Sequence, residues 1–209
     1  MKYLSTLFLG LVAMASVGLA DEVGAPKAGE PSSAADRAGF VANVYAGIDI
    51  HRLTGTTASA GLSLPAGGAT LDYFLGEVFG LYTAVEYVKR GASFAGTSSS
   101  ANYVDAGAGI ALRYRGNLFS STALNILHLG AFGAFPLDSF AGTYNLPGNN
   151  GITQMYMGFA TQATSVYPIG GGMWLGPASW VKIGLGSPVG GLTYSAWFVD
   201  VGLGIQLTF

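Results

Sequence analysis

The chain has 209 residues, of which 10% are charged and 50% hydrophobic, with 33 glycines and no cysteine. A usual domain carries ~25% charged residues; the lack of cysteine excludes disulfides, thiolate metal sites and lipid attachment through a thiol. Nine basic against eleven acidic residues form no basic surface for nucleic acid. Beyond residue 20 no window holds the ~18 uninterrupted apolar residues that a spanning helix needs.

Met1 to Ala20 has one basic residue, Lys2, then an apolar run closing on Gly18-Leu19-Ala20. This small-x-small ending is the pattern of a signal-peptidase site, so residues 1–20 are expected to be a cleaved export leader. Residues 21–38 hold two prolines and six charges with no apolar periodicity, as expected of a flexible periplasmic linker.

From residue 39 onward the pattern alternates. A strand points successive side chains to opposite faces. The first expected strand, 39–51, places Phe40, Ala42, Val44, Ala46, Ile48 and Ile50 on one face and Asn43, Tyr45, Gly47, Asp49 and His51 on the other. After a Thr/Gly/Ser-rich stretch, a second strand spans 69–77 with Leu71, Tyr73 and Leu75 outward and Asp72 inward. A turn near 78–80 leads to the third, 81–90, with Leu81, Val85 and Tyr87 outward and Tyr82, Glu86 and Arg90 inward. The fourth, 103–115, alternates Val104, Ala106, Ala108, Ile110, Leu112 and Tyr114 with Asp105, Gly107, Gly109, Ala111, Arg113 and Arg115.

The fifth strand is expected over 123–135, with Leu127, Leu129, Ala131 and Phe135 outward and Phe132 inward. The sixth covers 153–165, with Met155, Met157 and Phe159 outward and Gln154, Tyr156 and Gln162 inward. In the seventh, 173–185, Pro177 cannot donate to a ladder, so either the strand begins after it or it marks a bulge. The eighth, 195–209, has Trp197, Val199, Val201, Leu203, Ile205, Leu207 and Phe209 on one face and small or polar residues, Asp200 among them, on the other.

An apolar outer face and a small or polar inner one, repeated eight times, fit an eight-stranded antiparallel up-and-down transmembrane β-barrel over residues 39–209, with a soluble lipocalin-like barrel or sandwich as the alternative. The gaps between expected strands, roughly 17, 3, 12, 7, 17, 7 and 9 residues, alternate long and short as extracellular loops and periplasmic turns should.

The run Leu81-Tyr-Thr-Ala-Val-Glu86-Tyr87-Val-Lys89-Arg-Gly91, then Tyr103-Val-Asp-Ala-Gly and the aromatic last strand, resembles the small outer-membrane barrel family of OmpA/OmpX-like and PorT-like porin-family proteins. The last strand, with Trp197, Leu203, Ile205, Leu207 and Phe209, resembles the C-terminal signal by which bacterial barrels enter the outer membrane. The resemblance implies a Gram-negative outer-membrane location, lipid as surroundings and the barrel-assembly machinery as a partner in biogenesis. It is specific to a fold and not to a job.

Three functional classes remain. In the first, the barrel is a plugged structural or interaction protein, and its long loops, 52–68 and 136–152, are the surface for an extracellular ligand or protein. The inward charges Asp49, Asp72, Glu86, Arg90, Asp105, Arg113, Arg115, Lys182 and Asp200 then form a polar lumen network. Arg90 and Asp105 are expected to pair near the extracellular rim, with position 90 opposite 103 or 105 and Glu86 deeper, facing Gly107 and Gly109. Being near water, that pair is expected to contribute no more than ~1 kcal/mol.

In the second class, inward glycines (Gly47, Gly76, Gly107, Gly109, Gly130, Gly158, Gly202 and Gly204) leave a narrow pore or small-ligand site, unless inward aromatics pack over them. The third is a lipid-modifying outer-membrane enzyme. It is disfavoured because the two histidines, His51 and His128, have no nucleophile escort, and a histidine at a strand end reads as an interfacial polar residue. The same two histidines make no metal cluster, and no cofactor motif is present.

Overall fold

The computed structural model describes residues 39–54, 58–94, 97–116, 122–137, 155–189 and 192–209. The expected leader and linker, residues 1–20 and 21–38, lie outside the described residues. Eight strands follow one another: β1 Gly39–Thr54, β2 Ala58–Phe74, β3 Phe79–Phe94, β4 Thr97–Arg115, β5 Leu124–Pro136, β6 Tyr156–Gly170, β7 Met173–Val189 and β8 Leu192–Thr208. Each pairs antiparallel with the next, and β1 pairs with β8 from Val41↔Thr208 to Thr54↔Ser195, closing the barrel. Closure leaves no unpaired sheet edge, the condition for a sheet in hydrocarbon.

The alternation read from the sequence is the one the fold uses. Val44, Leu71, Leu81, Val85, Phe159, Ile183 and Leu203 are exposed on the outside, Phe159 at 81%. On the same strands Val41, Asp72, Tyr82, Glu86, Ala160, Lys182 and Asp200 are buried in the lumen. Phe40, Tyr73, Phe79 and Phe209 ring the end where the strands begin and finish, and the rings of Phe40 and Tyr73 meet at 4.8 Å, tilted by 45°. Tyr87 and Phe135 mark the other border. From Phe79 to Tyr87 along β3 is roughly 27 Å at ~3.4 Å per residue. That is about 20 Å along the axis at a tilt of ~40°, close to the ~25 Å apolar band of membrane barrels. Among the described residues, no outward strand residue between these aromatics is charged; Arg52 and Lys89 stand beyond the far border.

Strand limits differ from expectation mainly at the far end, opposite the termini. The stretch 52–68, expected as a loop, is largely strand: β1 and β2 stay paired to Thr54↔Ala58. The 12-residue gap after β3 shrinks to 95–96, because β3 and β4 pair to Phe94↔Thr97, and β7 and β8 pair to Val189↔Leu192. Small Gly, Ser and Thr side chains carry no apolar parity, so the sequence reads as loop, whereas the ladder needs only backbone groups. The expected long–short alternation of connections is therefore absent; the asymmetry lies in hairpin length. The β5–β6 connection is the exception, and 138–154 lie outside the described residues, as do Thr153 and Gln154.

Two prolines are absorbed differently. The β1–β2 register shifts between Gly47 and Asp49, opposite Leu64 and Pro65, so Pro65 sits in a bulge where no ladder N–H is needed. Pro177 lies inside β7, paired to Leu203, while the β6 ladder skips Gly176 and Pro177 and resumes in the same register. The strand neither starts after Pro177 nor bulges there. The β2–β3 turn falls at 75–78 and not at 78–80, with the Leu75 N–H donating to Phe79 O at 3.0 Å. The β6 strand runs on to Gly170, and the turn to β7 has positive φ at Gly170 (106°), Gly171 (62°) and Gly172 (76°), a conformation that glycine adopts without steric cost.

Candidate functional site: the lumen

Inward residues of eight strands meet in a space that side chains just fill. Toward the far end, Arg90 on β3 is the centre. Its guanidinium donates in parallel to both oxygens of Asp105, Nη1 to Oδ1 at 2.8 Å and Nη2 to Oδ2 at 2.7 Å. It also donates to Asp49 Oδ2 from Nε at 3.3 Å and from Nη2 at 3.2 Å. Its flat face lies 3.9 Å from the ring centroid of Phe198, and Arg90 is fully buried. A planar fork with an aromatic beneath it is the arrangement that suits arginine and not lysine.

Lys182 on β7 serves as a point charge. Its ammonium contacts Glu86 Oε2, Asp105 Oδ2 and, at 2.8 Å, Asp200 Oδ2. Asp49 in turn is bound to His51 Nδ1. Four carboxylates from β1, β3, β4 and β8 thus share two basic side chains and a histidine, all nearly or fully buried.

A second, largely aromatic layer lies nearer the termini. His128 Nε2 on β5 meets Asp72 Oδ1 on β2 at 2.8 Å. The imidazole packs against Tyr82 at 4.5 Å with the rings tilted by 44°, and lies nearly parallel to Trp180 at 6.2 Å. At the terminal end Arg113 donates to the carbonyls of Glu77 and Gly76, each at 2.9 Å, and covers the Phe74 ring at 4.1 Å. It therefore ties down the β2–β3 turn, which explains why that turn falls where local sequence did not place it.

Of the nine inward charges expected, Asp49, Glu86, Arg90, Asp105, Lys182 and Asp200 meet in one cluster, Asp72 joins the aromatic layer, and Arg113 sits at the terminal turn. Arg115 is a correction. It keeps the inward parity, but as the last residue of β4 it outruns the lumen and is exposed, its guanidinium 5.5 Å from the Trp174 ring. The Arg90–Asp105 contact is present, but by another route than expected. Arg90 lies opposite Ala101, and Glu86 is the cross-strand partner of Asp105, in a register that continues out to Phe94↔Thr97. Nor is the pair near water; both residues are buried.

His51 faces the lumen, as its place on the Asp49 face predicts, and His128, for which the sequence reading gives no face, does so too. His51 is no interfacial residue, being fully buried against Asp49. For His128 the signal is its parity with inward Phe132. The inward glycines leave little room. A Cβ on Gly130 would lie 2.6 Å from Tyr82 Oη, and one on Gly184 would lie 3.0 Å from Phe132 Cζ. Gly76 is not in the lumen but in the β2–β3 turn.

A closed eight-stranded antiparallel barrel with an apolar outer band and an ion-paired interior defines the class: the chain has the fold of the small bacterial outer-membrane β-barrels. No protein-family model and no curated protein matches the sequence. Among solved structures it is similar to Neisserial surface protein A, at 14% identity over 86% of this chain and 100% of that chain, with a TM-score of 0.50. It is also similar to outer membrane protein OprG from Pseudomonas aeruginosa, at 8% identity over 84% of this chain and 99% of that chain, with a TM-score of 0.49. At such identities the likeness is one of fold.

Proposed function

We propose that the chain is an outer-membrane protein with a closed lumen, acting as a structural or interaction protein through the hairpins at the end opposite its termini. The observation that carries this reading is the far-end cluster: Arg90 and Lys182 bridge carboxylates from four strands across the lumen, and the rings of Tyr82 and Phe132 lie over inward glycines. A void of about 10 Å³ beside Glu86 and Trp180 is about enough for one water. The extended β1–β2, β3–β4 and β7–β8 hairpins place backbone beyond the apolar band, where an extracellular ligand or protein partner would meet it. Export through a cleaved residue 1–20 leader and insertion by the assembly machinery through β8 belong to the same proposal.

The non-enzymatic reading is supported by the histidines. Both are nearly or fully buried and each has a carboxylate partner, so neither is placed to meet a lipid substrate. The test is single-channel recording of the refolded protein in planar bilayers alongside membrane fractionation of cells. Silence and an outer-membrane band of heat-modifiable mobility are expected. Discrete conductance steps would replace the plug with the narrow-pore reading, and recovery in the soluble periplasm would refute the membrane assignment.

A further inference from the structure

The boundary between the ion-paired layer and the aromatic layer contains the small void, walled by Tyr45, Glu86, Asp105, Phe132, Trp180 and Lys182 with Gly107 at its side. Three of these residues bring a side-chain atom that has no hydrogen-bond partner among the described residues: Tyr45 Oη, Glu86 Oε1 and Trp180 Nε1. All three residues are at most 5% exposed. Buried polar atoms are satisfied by protein or by ordered water in the great majority of cases, and these three belong to residues that line one small space.

We propose that this void is a binding site for a single water molecule, which accepts a hydrogen bond from the Trp180 indole N–H, donates to Glu86 Oε1 and shares a hydrogen bond with the Tyr45 hydroxyl. The size agrees, since a water needs about 10–15 Å³ and two to four polar partners. The chemistry of the wall excludes the other occupants of that size. A metal or alkali cation cannot accept from an indole N–H, and it would lie against the Lys182 ammonium, which already engages Glu86, Asp105 and Asp200. An anion would face the carboxylates of Glu86 and Asp105. A molecule of several heavy atoms exceeds the volume. What remains is a neutral species of one heavy atom that both donates and accepts.

The site has a structural consequence. Lys182 holds one oxygen of Glu86 and the water holds the other, so the carboxylate is fixed on both sides. The water thereby links the ion-paired layer to Trp180, and through its ring contacts to His128 and Tyr82.

Two measurements test the site on the full chain refolded in micelles. In the first, water-selective NOE spectra read the Trp180 indole proton, assigned by its loss in Trp180→Phe. A cross-peak to a long-lived water is expected in the unsubstituted protein. Gly107→Ala, which adds a methyl group at the void wall with no contact closer than 3.2 Å to Ala131 O, is expected to abolish it while the barrel keeps its folded mobility. No cross-peak in the unsubstituted protein, or an unchanged one in folded Gly107→Ala, overturns the proposal. In the second, a high-resolution crystal structure after a rubidium soak should show one peak about 2.7–3.2 Å from the three atoms with no anomalous signal. An empty void, or a rubidium peak in it, overturns the proposal independently of whether Gly107→Ala folds.

Discussion

Arg90→Met removes the cation that joins Asp49 to Asp105 while keeping an unbranched side chain of similar length over Phe198. Four hydrogen bonds disappear, two to each carboxylate. Asp49 is left to His51, and Asp105 to Lys182, which must already serve Glu86 and Asp200. Breaking a buried pair by removing one partner costs about 3–5 kcal/mol, because a charge stays behind without compensation. An exposed pair would cost ~1 kcal/mol or less, so the two environments differ by enough to measure. Asp105→Leu alone strands Arg90 in part and is expected to cost a comparable amount. The double variant Arg90→Met/Asp105→Leu removes both charges and is expected to cost less than the sum of the two single changes. The assay is urea unfolding and refolding into lipid vesicles, followed by tryptophan fluorescence and the mobility of the folded band. A loss below ~1 kcal/mol for Arg90→Met, or additive single costs, would refute the buried-network reasoning.

Two neighbours on β4 should separate the faces of the sheet. Ile110→Arg, at an outward and exposed position, is expected to cost ~2–4 kcal/mol if it lies near the midplane. Ala111→Arg points into a fully buried site opposite His128 and Gly80 and should block folding by overpacking. Equal effects in refolding titrations would undo the assignment. Gly109→Ala should destabilise more than Gly184→Ala. Its Cβ would lie 2.2 Å from Leu129 O, a backbone atom, whereas on Gly184 the nearest atom is Phe132 Cζ at 3.0 Å, which a side chain can move; urea midpoints in the reverse order would refute this. Asp72→Ala leaves His128 without its carboxylate and is expected to cost about 1–3 kcal/mol with a changed near-UV circular dichroism of the Trp180 stack. An unaltered spectrum and midpoint would show that the His128 link contributes nothing.

What the sequence by itself determined is the alternation. The apolar faces of Ala106–Ile110 and Val199–Leu207 repeat every second residue, because a strand's side-chain period is two wherever one face meets lipid. From this follow the strand count and the inward set, even for Arg115, whose parity was right although its place was not. Beyond the apolar band this signal ends, so residues 58–68 and 91–102 read as loop although their backbones are largely paired.

Only the tertiary structure decided which inward charges meet. Arg90, Asp49, Lys182 and Asp200 come together because closure brings β1, β3, β7 and β8 around one narrow lumen, and neither strand spacing nor parity encodes distances across it. The same closure buried His51 and His128 against carboxylates on their own or opposing strands and let Arg113 set a turn more than thirty residues away. Face is a local property of an extended chain; partnership across the lumen depends on register and closure, which hydrogen bonding between strands sets.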